Sequence, residues 1–256
     1  MITYKTKEEI ETMKVGGKRH AEILRALAEM VAPGVSTLIL EEEALRLIHS
    51  HGDIPAFLGY TPAGAKRAYP AALCVSINQE IVHGIPNEAV RLLNEGDIVS
   101  LDLGLVHGGL ITDSAITVPV GVVDDESLKL LHVTRAALEA GIKEAQPGKR
   151  IGDIGAAIQA VVKGSGFSLA EDLAGHGVGY KVHEDPFVPN TGHAGRGEEL
   201  RPGMVIAIEP MVNVGGSKIR MMKDGYTIET RDGSKSAHFE HTVAITEEGN
   251  IVLTQS

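Results

Sequence analysis

The sequence predicts an α+β protein built from two related halves. Helix, Pro-Gly turn, helix, glycine and strands occur in that order twice. Pro33-Gly34 and Gly52 in the first pass recur at one constant offset as Pro147-Gly148 and Gly166, which points to an internal duplication, with chance agreement of the glycine positions as the plain alternative. Between the two passes, Val99–Val118 reads VSLDLGLVHGGLITDSAITV. Two apolar, β-branched-rich runs around His107-Gly108-Gly109 predict a β-hairpin. Four more β-rich pieces follow the second pass, so both secondary-structure types are present in quantity.

Each element has a local reason. Thr6 and Glu9 form a capping-box pattern ahead of a helix that runs to about Val31. Ile10, Met13, Gly17, Ala21, Leu24 and Leu27 mark its apolar face at helical spacing. Gly16-Gly17 weakens that helix, which points to close packing there. Ala32-Pro33-Gly34 stops it. Ser36 or Thr37 caps a second helix ending near His51, with Gly52 at C′. Asp53 to Pro70 is looser and rich in Gly, Pro and Tyr. Ala72–Asn78 and Glu80–Pro86 read as strand segments before the hairpin. A third helix spans about Glu126 to Ala145 and a fourth about Ile151 to Lys163, ended by Gly164-Ser165-Gly166. The β-rich pieces are Gly175–Gly179 with Lys181–His183, Val205–Glu209 closed by Pro210, Tyr226–Thr230, and Phe239–Ile245. Asn190–Glu199 is a polar, glycine-rich loop, and Arg231-Asp232-Gly233 is a charged turn. No linker or low-complexity stretch divides the chain, which predicts a single domain over residues 1–256.

Composition narrows the function classes. The 256 residues are 43% apolar, enough for a sizeable core. Acidic residues outnumber basic ones by 34 to 24, for a net charge of −10. That disfavours direct nucleic-acid recognition, which needs a basic stripe. Cys74 is the one cysteine, so no internal disulfide can form. With no signal-peptide pattern and no run long enough to span a membrane, the expected location is cytoplasmic.

The candidate chemistry lies in carboxylates within apolar strands. A hairpin loop centred between His107 and Gly108 sets Asp102 directly opposite Asp113 on one face. Carboxylates that close repel unless one is protonated or a cation lies between them; two solvated aspartates on an exposed face are the plain alternative. Glu209 ends VIAIE, and Glu240 sits within HFEHTVAI. Buried carboxylates need partners, and few bases lie in these strands; Arg220 and Lys223 fall outside the strand cores. A hard cation, or a borderline one such as Zn²⁺ or Mn²⁺, is the expected partner. His176, flanked by Gly175 and Gly177, adds one imidazole to this set. His83 and His183 are strand-end histidines suited to donating to a substrate carbonyl or amide. His238 shares strand parity with Glu240, which allows a role behind a ligand beside the plainer reading of a histidine without one; His241 points the other way. His20, His49, His51 and His132 read as solvated helix-face residues, His107 as a turn residue and His193 as a loop residue.

VSINQEIVHGIP, SLDLGLVHGGLITDSA, GHGVGYKVHEDP, AIEPMVN and SAHFEHTVAI occur in this order. Together they resemble type I methionine aminopeptidase over nearly the whole chain. The resemblance implies the pita-bread fold: two pseudo-symmetric helix–helix–β halves around a curved antiparallel sheet that enclose a dinuclear metal centre. It implies two divalent ions (Co, Mn, Fe or Zn), with Asp102 as the bidentate ligand of one. Asp113 and Glu240 bridge the pair, and His176 and Glu209 complete the other site. His83 and His183 are implied as substrate-contacting catalytic residues and Glu209 as the proton carrier. Tyr60, Tyr69, Cys74 and Tyr226 fall where the family lines its methionine pocket. Phe57 stands where some members carry a small residue or cysteine, and Thr61–Ala68 is longer than in the shortest members. The implied reaction removes an N-terminal methionine when the second residue is small, by attack of a metal-activated hydroxide on the methionine carbonyl. The implied partners are nascent-chain N-termini near the ribosome, and the implied state is a monomer. Two other readings are an Xaa-Pro dipeptidase or aminopeptidase P relative, which shares the fold, and a non-catalytic pita-bread binding module. The EPMVN and SAHFEHT segments and the complete ligand set favour methionine aminopeptidase.

Overall fold

The computed structural model describes residues 1–255. Two helices open the chain, α1 (Lys7–Met30) and α2 (Thr37–Ser50). Next come β1 (Ile54–Pro55), β2 (Leu73–Ile77), β3 (Glu80–Val82), β4 (Ile98–His107) and β5 (Leu110–Pro119). The second pass is α3 (Asp125–Glu144), α4 (Ile151–Lys163), β6 (Ser168–Leu169), β7 (Ala174–Gly177), β8 (Glu184–Pro189) and β9 (Val205–Ile208). It ends with β10 (Met211–Asn213), β11 (Ile219–Met221), β12 (Ile228–Thr230), β13 (Ser236–His238), β14 (His241–Thr246) and β15 (Gly249–Val252).

The local signals act as their chemistry requires. Thr6 caps α1 in a complete capping box with Glu9, and Ser36 Oγ caps α2 by accepting from the Ile39 N–H. The paired glycines of α1 permit close approach. A Cβ on Gly16 would lie 2.7 Å from His107 Cβ, and one on Gly17 would lie 2.3 Å from the Leu253 carbonyl oxygen. Neither space can hold a methyl group.

The duplication is visible in the backbone. Gly34 and Gly148 take φ of 89° and 82°, and Gly52 and Gly166 take 72° and 87°. The Gly34 N–H donates to Leu93 O at 2.7 Å, as Gly148 donates to Leu200 O at 2.8 Å. Val120 N–H to Asp97 O and Ile245 N–H to Met204 O, both 2.8 Å, are a second matched pair. The halves thus equate β4 with β9 and β5 with β14. They meet where Ala115 and Glu240 form an isolated antiparallel bridge.

Each half covers one sheet face with its helix pair. Leu101, Leu103 and Leu105 of β4 pack with Leu24, Leu27, Leu40 and Ile48 from α1 and α2. Ile206 and Ile208 of β9, with Val243 and Ile245 of β14, pack with Leu130, Ile154 and Ile158 from α3 and α4. Complete burial of each such side chain stabilises by about 1.5–3 kcal/mol. Alternate residues of these strands face the other side, where the candidate site lies.

Several expectations need correction. Gly108 and Gly109 themselves form the hairpin loop, with φ of 57° and 81°, as a two-residue turn of primed type requires. Asp102 therefore pairs with Ala115, and Asp113 with Gly104. The two aspartates are diagonal neighbours rather than direct partners. They still share a face, because the register moved by an even number of residues. Phe239–Ile245 is not one strand. β13 pairs with β10 and β14 pairs with β9, so the chain changes sheets at Phe239-Glu240. Lys181–His183 forms a bend, and β8 follows it at Glu184. Strands β8, β10, β11 and β15 carry too weak an alternation to stand out in the sequence. His20 is not solvated: it is fully buried, with Nδ1 3.1 Å from Thr112 Oγ1. His107 is tied down beyond the turn, its Nδ1 2.7 Å from Asp53 Oδ1.

Candidate metal centre and substrate pocket

Five elements deliver ionisable groups to one place. Asp102 comes from the middle of β4 and Asp113 from β5. His176 lies on β7, and Glu209 follows β9 directly. Glu240 sits at the sheet change between β13 and β14, where only a break in strand pairing lets it face the same cavity. Asp113, His176 and Glu240 each offer a ligand atom, all within 4.8 Å of one another. His176 Nε2 is 3.5 Å from Glu209 Oε1 and 3.9 Å from Asp113 Oδ2. Its Nδ1 lies 2.9 Å from the Gly177 carbonyl oxygen. That oxygen can only accept, so Nδ1 carries the proton and Nε2 keeps a free lone pair aimed at the carboxylates.

The electrostatics of this cluster call for a cation. Burial pushes Asp102 up to about 7 and Glu209 up to about 8. Burial first, then the neighbouring carboxylates, drive Asp113 and Glu240 well above the usual carboxylate range. Burial lowers His176 to about 3, so it is neutral and able to ligate. Asp102 Oδ1, Asp113 Oδ1 and Glu240 Oε1 are buried and lack any hydrogen-bond partner among the described residues. Buried oxygens without donors are costly, and a divalent cation satisfies them. Oxygen donors with one imidazole suit Mn²⁺, Fe²⁺, Co²⁺ or Zn²⁺. The residues present fit such ions.

His238 also borders the cluster. Its Nε2 is 3.6 Å from Glu209 Oε2 and 3.9 Å from Glu240 Oε2, and its side chain is buried. His241 turns away and meets Thr254 Oγ1 at 2.9 Å.

The carboxylates form the floor of a cavity of about 900 Å³, whose lining includes His83, His183, Tyr60, Tyr69, Cys74 and Tyr226. Tyr69 and Tyr226 stack edge-on with ring centroids 5.1 Å apart. The Tyr69 hydroxyl donates to Gly84 O at 2.9 Å, and Tyr226 donates to Arg67 O. Cys74 pairs with Asp102 across β2 and β4. Phe57 lies over Gly104, where a Cβ would come within 2.5 Å of its ring. Tyr60 OH is 2.9 Å from His183 Nδ1, and the His176 and His183 rings are 4.4 Å apart. Burial lowers His83 to about 4 and also lowers His183.

Sequence reading missed the outer wall of this cavity, where Lys66, Arg67, Met221, Met222 and Lys223 line the mouth. It also missed a repeat that would have paired the two cavity histidines. Val82-His83-Gly84-Ile85-Pro86 recurs as Val182-His183-Glu184-Asp185-Pro186. His83 and His183 thus occupy matching positions of the two halves.

Comparison with known proteins agrees with this geometry. The family model "Metallopeptidase family M24" matches residues 11–247. The methionine aminopeptidase of Aquifex aeolicus is 47% identical over 252 residues, covering 98% of this chain and 97% of that protein. Methionine aminopeptidase 1 of Bacillus subtilis is 44% identical, with 100% of each chain covered. The crystal structure of methionine aminopeptidase from Thermotoga maritima superposes with a TM-score of 0.95 at 44% identity, covering 100% of each chain. The prolidase from Pyrococcus furiosus shares the fold alone: TM-score 0.76, 22% identity, 99% of this chain and 65% of that one covered. This chain belongs to metallopeptidase family M24 and, within it, to the methionine aminopeptidases.

Proposed function

We propose that this protein hydrolyses the peptide bond after an N-terminal methionine when the second residue is small, acting on nascent polypeptides. The ligands would be Asp102, Asp113, His176, Glu209 and Glu240, and the cofactor two divalent ions from among Co, Mn, Fe and Zn. One observation carries the reading: carboxylate oxygens that are buried and lack donors among the described residues belong to side chains lining a cavity walled by tyrosines and a cysteine. When bound, the ions polarise the scissile carbonyl and lower the pKa of a water towards roughly 7.

The remaining chemistry belongs to side chains. Glu209 takes the proton from the attacking water and returns it to the departing amine nitrogen. Burial raises the Tyr60 pKa, so its hydroxyl keeps a proton to donate to His183 Nδ1, 2.9 Å away, and in the catalytic tautomer we assign it does so. His183 Nε2 then carries the proton and donates to the carbonyl oxygen as negative charge develops there. His83, neutral by burial, donates to the scissile amide. Phe57, Tyr69, Cys74 and Tyr226 enclose the flexible thioether, which favours aromatic and sulfur contacts.

The test is a peptide series with Met-Ala-Ser, Met-Leu-Ser and Ala-Pro substrates and the metal-loaded protein. Methionine release from the first and little from the others is expected. Cleavage confined to the Xaa-Pro bond would assign the protein to the prolidase branch of the fold.

A further inference from the structure

The bend carrying His183 is held differently from its counterpart. His83 precedes Gly84, and the sheet fixes that glycine. The Val75 N–H donates to Gly84 O at 2.9 Å, and the Gly84 N–H donates to Ser76 Oγ at 3.1 Å. His183 lies outside any strand, and the β7–β8 ladder shifts register between His176 and Gly177. The residue after His183 is Glu184, the first residue of β8 and the ladder partner of Gly177, and its carboxylate holds the bend. Oε1 accepts from the Tyr180 and Lys181 N–H groups at 2.5 and 2.8 Å, closing the bend on itself.

The other oxygen, Oε2, is met from the N-terminal segment. Lys5 Nζ lies 2.7 Å from it, and the Thr3 hydroxyl donates to it as well. Both ends of the ion pair are buried, with side-chain exposures of 1% for Lys5 and 4% for Glu184. Lys5 Nζ also sits 4.9 Å from the Tyr180 ring centroid. Gly179 makes room for the lysine, because a Cβ there would lie 2.3 Å from Lys5 Cε. The Lys5 N–H is tied to Gly203 O at 2.7 Å. A buried ion pair adds little net stability, but removing one partner leaves the other charge buried and uncompensated.

We propose that Lys5 and Glu184 are positioning residues for catalysis: the strap at Thr3–Lys5 locks the bend that sets His183 against the substrate carbonyl. This rests on the role given to His183 above. Loss of the lock displaces the donor, and errors near 1 Å in such groups cost about a hundredfold in rate. Phe57, Tyr69, Cys74 and Tyr226, which enclose the methionine side chain in the reading above, lie outside the bend, so the loss is expected on kcat more than on KM.

A double-mutant cycle on Met-Ala-Ser hydrolysis tests this, with metal-loaded full-length chains, Lys5→Met and His183→Ala. Lys5→Met keeps the apolar stem. It is expected to lower kcat by about tenfold to a hundredfold with KM little changed, and to cause almost no further loss in the His183→Ala background. Lys5→Arg is expected to restore most of the rate. Equal losses in both backgrounds would overturn the proposal, because a lysine of general structural value lowers both alike. Should the unpaired Glu184 charge unfold Lys5→Met, the neutral pair Lys5→Met/Glu184→Gln supplies the same reading. Wild-type kcat in that pair would also overturn it. A wild-type protein that releases no methionine removes the functional reading itself, before any variant is compared.

Discussion

The backbone of Asp113 exchanges two hydrogen bonds with the side chain of Thr242. The Asp113 N–H donates to Thr242 Oγ1 at 2.8 Å, and that hydroxyl donates to Asp113 O at 2.7 Å. The other half repeats the pattern with Thr117 and His238, at 2.8 and 2.7 Å. Two threonines thus fasten the strands that carry the cluster's most crowded carboxylates.

Thr242→Val keeps the shape and leaves both Asp113 backbone groups without a partner. A loss of about 2–4 kcal/mol in unfolding free energy is expected, read by urea denaturation. Divalent-metal affinity is expected to fall by about tenfold to a hundredfold, read by calorimetric titration. Unchanged affinity would mean that the fastening does not set the ligand.

Gly104→Ala tests the space between Phe57 and the floor of the site. The added methyl would meet the Phe57 ring at 2.5 Å and the Ala56 Cβ at 2.9 Å. Overpacking of this kind costs about 1–3 kcal/mol and pushes the ring into the cavity. KM for methionyl peptides should rise, and Phe57→Leu in the same chain should recover part of it.

His20 gives a pH dependence of stability with a definite sign. Burial holds its folded-state pKa at about 3, against 6.5 in the unfolded chain. Between those values the unfolded state binds the extra proton, so the contribution is complete above pH 6.5 and is lost as pH falls towards 3. At pH 5 the loss is about 2 kcal/mol. His20→Gln should therefore lose about 2 kcal/mol less than wild type between pH 7 and pH 5, measured by denaturant midpoints. Parallel curves for the two proteins would contradict this.

Metal should stabilise the fold by mass action. At a hundred times its dissociation constant, a divalent ion that binds only the folded state adds about 2.7 kcal/mol. The Tm of chelated protein should rise on addition of Mn²⁺ or Co²⁺, and Asp113→Ala should abolish most of the rise.

The helices and both Pro-Gly turns were legible because caps, glycines and apolar spacing are local. The shared face of Asp102 and Asp113 survived a wrong hairpin register because alternation is blind to an even slip. Glu240 was legible as an acidic residue within an apolar run. Its orientation depends on the chain leaving one sheet for another at Phe239-Glu240, which strand parity cannot register. His20 read as solvated because nothing in α1 shows that β5 covers its face. The mouth residues Lys66 and Met221 belong to segments distant in sequence, and only the folded chain sets them together.

The most direct measurement is methionine release from Met-Ala-Ser by chelated protein, before and after addition of Mn²⁺ or Co²⁺, beside Asp113→Ala. Release that appears with metal and is absent from Asp113→Ala is the predicted result. Folded, metal-loaded protein that releases no methionine with any of these ions would contradict the account and leave a binding module that retains its ligands.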